Sequence, residues 1–232
     1  MSTIALPTRT AAPAGRAVSG WRQLIADWSS DRQAFHVAWG KAMMWIFLLS
    51  DTFIFGCFLT GYMTVRASTT AAWPNTSQVF ALHSGGADVP LILIAIMTFV
   101  LITSSGTMAM AVNCAYRRDR VNAAALMFVT AGFGEMFVGM QAFEWSKLIM
   151  EGVRPWGNPM GAPQFGSTFF MITGFHGLHV TCGVIYLAVV ATRLLRGKYE
   201  RAGSYQIVEI VGLYWHFVDL VWVFIFAFFY LW

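Results

Sequence analysis

The stretch FGSTFFMITGFHGLHVTCGVIY, residues 165–186, contains no Asp, Glu, Lys or Arg. Crossing the hydrocarbon layer of a bilayer as a helix takes about 20 predominantly apolar residues, and this run is long enough. Four other windows reach the same length, so spans are expected at roughly 42–65, 89–114, 121–146, 166–192 and 205–232. The runs are too long for barrel strands and do not alternate, and a backbone in lipid must bond to itself, which leaves helices. The expected fold class is all-α, a polytopic membrane protein with five transmembrane helices.

Composition points the same way. The 232 residues are 57% apolar and 11% charged, with a mean hydropathy of +0.60, whereas soluble domains carry about 25% charged residues. No basic run is interleaved with aromatics, so no nucleic-acid partner is expected. Cys57, Cys114 and Cys182 are odd in number and far apart, with no Cys-x-x-Cys spacing. They indicate neither a disulfide framework nor a zinc site, and a packing role is expected.

Basic residues set the expected orientation. Twelve of them lie in the N-terminal segment (Arg9, Arg16, Arg22, Arg32, Lys41) and in the connections after the second span (Arg117, Arg118, Arg120) and the fourth (Arg193, Arg196, Lys198, Arg201). Only Arg66, Lys147 and Arg154 fall on the other side. By the positive-inside rule the N-terminus is expected in the cytoplasm and the C-terminus outside. Residues 1–38 lack the continuous apolar core of a secretory signal and read as a cytoplasmic arm. Within it Trp21, Leu24, Ile25 and Trp28 make one face of a short amphipathic helix behind a Ser19 cap, suited to the headgroup layer or a partner subunit. The five-helix domain is expected over 39–232. The loops 68–87 and 148–165 are rich in turn formers, and no internal repeat is present, which weakens a transporter reading built on inverted halves.

Carboxylates inside a bilayer are costly and mark candidate functional sites. Asp51 is midway along the first span and Glu135 midway along the third; Glu209 and Asp219 are in the fifth, and Asp88 begins the second. No Lys or Arg lies within the first or second span to neutralise Asp51 or Asp88, so each is expected to be protonated, hydrated or bonded to a lipid headgroup. Ala131, Glu135, Gly139 and Ala142 share a face that a second helix can approach closely, so Glu135 is expected to be buried against protein. Glu209, Gly212, His216 and Asp219 form one stripe that should dock inward, where it can meet the stripe of His176, His179 and Gly183 in the fourth span. Glu144 and Lys147 read as a helix-surface pair. His176 and His179, three apart, have a spacing that permits metal ligation, but a buried histidine is more often a hydrogen-bonded tie between helices.

The stretch 165–186 together with YWHFVDLVWVFIFAFFYLW (214–232) resembles the last two helices of subunit III of the haem-copper respiratory oxidases. WIFLLSDTFIFG (45–56), ADVPLILIAIMTFVLITSS (87–105) and GMQAFEW (139–145) extend the resemblance to about residues 40–232. It implies a non-catalytic subunit of a proton-pumping terminal oxidase in the bacterial inner membrane, packed against subunit I with subunit II in the same complex. It also implies a V-shaped helix arrangement whose cleft holds phospholipid near Asp51 and Asp88, and protection of the proton-uptake path of subunit I. No cofactor is expected in this chain, the haems and copper belonging to partner subunits, so His176, His179, Glu135, Glu209, His216 and Asp219 carry over as a helix-tying network. The family commonly has glutamate where Asp51 and Asp88 stand. Five helices rather than seven resemble the bacterial quinol oxidase form. An accessory protein of nitric oxide reductase systems is similar in the same helices and stays as an alternative. Two readings from other classes are a metal-bearing enzyme using His176, His179 and His216, and a proton or ion transporter using Asp51, Glu135 and Asp219.

Overall fold

The computed structural model describes residues 39–75, 79–80, 82–84, 87–89, 91–159, 161–201 and 203–231. The expected N-terminal arm, with the amphipathic helix expected in it, lies outside the described residues. Five helices are long and apolar enough to cross a membrane: α1 (Trp39–Ser68), α2 (Ile92–Tyr116), α3 (Arg120–Met150), α4 (Gln164–Leu195) and α5 (Gln206–Phe226), the last continued by a π-helical turn, Ala227–Leu231. Most ends run a few residues beyond the apolar windows because the helices carry on through polar residues such as Arg66, Lys147 and Arg193.

Hydroxyl groups inside the spans are satisfied locally, as a medium without water requires. Thr52, Thr98, Thr173 and Thr181 each donate to the carbonyl four residues earlier, at 2.7–2.9 Å. The tight link from α2 to α3 uses Arg118 at φ 61. It is followed by Asp119 as N-cap, accepting from the Asn122 backbone N–H at 3.2 Å. That bond holds the Asp119 carboxyl below the ordinary aspartate range, because it favours the charged form.

Helices α2, α3, α4 and α5 pack in a ring, α2 on α3, α3 on α4, α4 on α5 and α5 back on α2. Trp215 of α5, 1% exposed, fills the centre because two glycines make room for it. A Cβ built on Gly134 of α3 would lie 2.5 Å from Trp215, and one on Gly183 of α4 would lie 3.0 Å from it. The Trp215 indole N–H donates to Ser104 Oγ of α2 at 2.9 Å. Gly212, also on α5, admits Met108 and Val112 of α2. Helix α1 is joined to this ring mainly through long side chains: Phe55 meets Phe175 with ring centroids 5.4 Å apart, and Tyr62 meets Phe229 at 4.0 Å. An apolar opening of about 580 Å³ separates α1 from α5.

Two expectations are corrected here. A short antiparallel hairpin, β1 (Leu82–Ser84) with β2 (Ala87–Val89), precedes α2 and pairs Asp88 with His83. Asp88 is therefore not the first residue of the second span, which begins at Ile92. Three-residue strands are too short to leave a periodic signal. The cysteines are not all packing residues: Cys57 and Cys182 are exposed and Cys114 is half-buried.

Candidate functional site

The side chains singled out in the sequence come together in three places rather than one. On the α1–α4 contact, His179 Nδ1 lies 2.8 Å from the Phe175 carbonyl. A carbonyl only accepts, so Nδ1 carries a hydrogen and Nε2 is left facing Asp51. Asp51 is 3% exposed, and its Oδ2 stands 3.3 Å from that Nε2. This is an ion-pair separation without the geometry of a hydrogen bond, since Oδ2 has no hydrogen-bond partner. The Tyr214 hydroxyl of α5 donates to the His179 carbonyl at 3.0 Å. One histidine thus touches α1 through its ring and α5 through its backbone.

His176, one turn earlier and 1% exposed, has neither ring nitrogen hydrogen-bonded among the described residues. Rings enclose it: Trp222 stacks at 5.3 Å, Phe137 meets it edge-on at 5.7 Å, and Phe55 lies at 6.4 Å. An imidazole N–H aimed at an aromatic face has a weak acceptor there.

At the α2–α5 contact His216 Nδ1 lies 2.5 Å from Ser105 Oγ. Asp219 faces the same serine, with its Oδ1 unpartnered. Glu209, at the start of α5, pairs with Lys41 of α1 and bonds to Tyr116 of α2, which ties three helices at one end of the bundle. The fifth-span stripe therefore docks on α1 and α2. It does not meet the histidine stripe of α4, although the sequence allowed the two to meet, because the aromatic side chains Tyr214, Trp215 and Trp222 fill the side of α5 that faces α3 and α4.

Glu135 departs from its expectation. It is exposed, not buried against protein, and joins no network among the described residues. The buried face of α3 runs instead through Ala131, Gly134, Phe137, Gln141, Glu144 and Leu148. Glu144 is therefore enclosed rather than on the helix surface. It is 3% exposed, and its Oε2 accepts from Gln141 Nε2 at 2.8 Å and from the Tyr230 hydroxyl at 3.1 Å. Lys147 stands 3.6 Å from Glu151. Sequence reasoning missed this triad. The signal was available, because continuing the three- and four-residue spacing from Gly134 through Phe137 and Gln141 leads to Glu144.

The donors a redox metal would need are dispersed. Among the described residues no three His, Cys, Asp or Glu side chains gather in a metal-binding group. The opening between α1 and α5 is lined almost wholly by hydrocarbon, including Leu48, Phe55, Leu213, Phe217 and Phe224, with His216 at its wall.

Comparison with known proteins adds to this geometry. A family model described as cytochrome c oxidase subunit III matches residues 18–232. Among curated relatives, a probable quinol oxidase subunit 3 of Staphylococcus aureus (strain USA300) is 31% identical over 187 residues, covering 81% of this chain and 86% of the relative. A protein of the same description from Staphylococcus epidermidis is 32% identical over 188 residues, with coverage of 81% and 86%.

Proposed function

The chain belongs to the cytochrome c oxidase subunit III family, and from that premise we propose that it serves as the non-catalytic third subunit of a haem-copper oxidase of the quinol-oxidising kind. It is a multi-pass protein of the bacterial inner membrane, and membership of the family places it in a multi-subunit oxidase complex. In this reading its own residues carry no electrons. The observation that carries it is how the polar groups are used: Asp51 faces His179, Ser105 bonds His216, Lys41 pairs with Glu209, and aromatic rings enclose His176. Each such contact joins one helix to another, and none converges on a shared point where a haem iron or copper would sit.

The roles that follow are mechanical. Subunit I is the main partner, subunit II sits in the same complex, and this chain covers one side of subunit I and shields its proton-uptake path. The arginine-rich ends of α2 and α4 face the cytoplasm, as the distribution of basic residues favours. The apolar opening between α1 and α5, about 580 Å³, is within the size range of small-molecule pockets and takes a phospholipid acyl chain. The haems and copper belong to the partner chains and supply the oxygen chemistry there. The test is depletion of this chain from the oxidase complex. Haem spectra should stay nearly intact while activity decays faster during turnover; loss of the haem signal from otherwise intact subunit I would contradict the reading.

A further inference from the structure

Glu135 is the middle residue of the 31-residue α3, and its side chain is exposed. No hydrogen bond or ion pair reaches it from any described residue. A carboxyl group facing lipid halfway through the hydrocarbon layer is among the least favourable placements a side chain can have, and such groups almost always face protein or water. The surface around it is shaped for a close neighbour. Gly132, Gly139 and Ala142 stand three, four and seven residues from Glu135, Ala125 and Ser146 continue the same face, and all are exposed. A Cβ built on Gly132 or Gly139 would meet nothing within 4 Å. Gly134, on the buried face of the same helix, is already filled by Trp215.

We propose that the Glu135 face of α3 docks a transmembrane helix of a companion subunit, one that brings a hydrogen-bond-donating side chain to the middle of the membrane. Small residues on one face let a second helix come close enough for side chain and backbone to touch. A lipid tail fills such a groove but offers the carboxyl no donor, so the chemistry at the centre selects a polar helix over hydrocarbon. The other exposed glycines of the spans with open space, Gly56, Gly61 and Gly106, have no carboxylate or basic residue three or four positions away on the same helix, and they mark no comparable site. The inference rests on the reading that this chain works inside a multi-subunit complex.

The experiment purifies the complex through a tag on this chain, comparing the parent with Gly139→Leu, Glu135→Leu, Glu135→Gln and the control Gly106→Leu. Circular dichroism of each purified chain checks that its helices form. The parent and Gly106→Leu should retain the companion subunits. Gly139→Leu and Glu135→Leu should lose them by about tenfold or more, the change that about 1.4 kcal/mol makes in an association equilibrium. Glu135→Gln, which keeps an acceptor, should fall between. A photo-crosslinking residue at Ala142 should label a membrane-spanning peptide of another chain. Equal retention by Gly139→Leu and Glu135→Leu, or a crosslink only to lipid or to a second copy of this chain, overturns the proposal and leaves the subunit reading standing. A parent that retains no companion overturns both.

Discussion

Substituting Gly134 by Ala tests how the ring of four helices is held together. The added methyl would lie 2.5 Å from Trp215 Cη2 and 2.6 Å from Val184 Cγ2. Non-bonded carbons settle at about 3.5–4.0 Å, so something must move by about 1 Å. Trp215 has little room to yield. Its indole N–H is bonded to Ser104 at 2.9 Å, and Gly183 closes on the ring so tightly that a Cβ there would lie 3.0 Å away. Val184 is β-branched and stiff in a helix. Overpacking of this kind costs about 1–3 kcal/mol, and the restraints place this site in the upper part of that range. The preference of a helix for Ala over Gly returns about 1 kcal/mol. The net effect is a loss of about 1–2 kcal/mol, which for a chain of this size lowers the unfolding midpoint by roughly 2–8 °C. The assay is thermal unfolding in one detergent, followed by circular dichroism, with Gly106→Ala beside it. Gly106 has nothing within 4 Å of a built Cβ, so that change should leave the midpoint level or raise it. A Gly134→Ala midpoint equal to that of Gly106→Ala would refute the packing argument.

Three other outcomes are expected. Ser104→Ala removes the acceptor of the buried Trp215 N–H and should cost about 1–3 kcal/mol, the penalty for an unpaired buried donor, in the same unfolding assay. A double-mutant cycle of Asp51→Ala with His179→Ala should give a coupling of about 0.6–1.7 kcal/mol, the range from typical to strong for polar contacts between membrane helices; no coupling would mean that the 3.3 Å approach ties nothing. Asp119 has its folded-state carboxyl held low by the Asn122 N–H, so its stabilising effect is present above the unfolded pKa and fades as pH falls through the folded value. The stability advantage of the parent over Asp119→Asn, which keeps the cap but not the charge, should therefore be full near neutrality and shrink below about pH 4.

What was legible in the sequence follows from which forces act along one chain. The five spans were readable because a long, predominantly apolar run has one solution in lipid. Asp51 and His179 could each be marked as costly in a membrane, but their meeting depends on how α1 lies against α4, which no periodicity encodes. Glu135 and Glu144 exchanged roles for a related reason. Both sit among small and apolar residues on α3, and one helix turned against its neighbours decides which carboxyl is enclosed. The stripe of Glu209, His216 and Asp219 was correctly read as one face, yet its destination on α2 was set by the bulk of Trp215 and Trp222 on the other side of α5.

The most direct test of the account is the redox-centre content of the purified full-length chain. Optical spectra and elemental analysis should find neither haem nor copper in stoichiometric amount, while the assembled complex contains both. A tightly held haem or copper ion on the isolated chain, lost on substitution of His176, His179 or His216, would contradict the claim that these side chains serve to join helices.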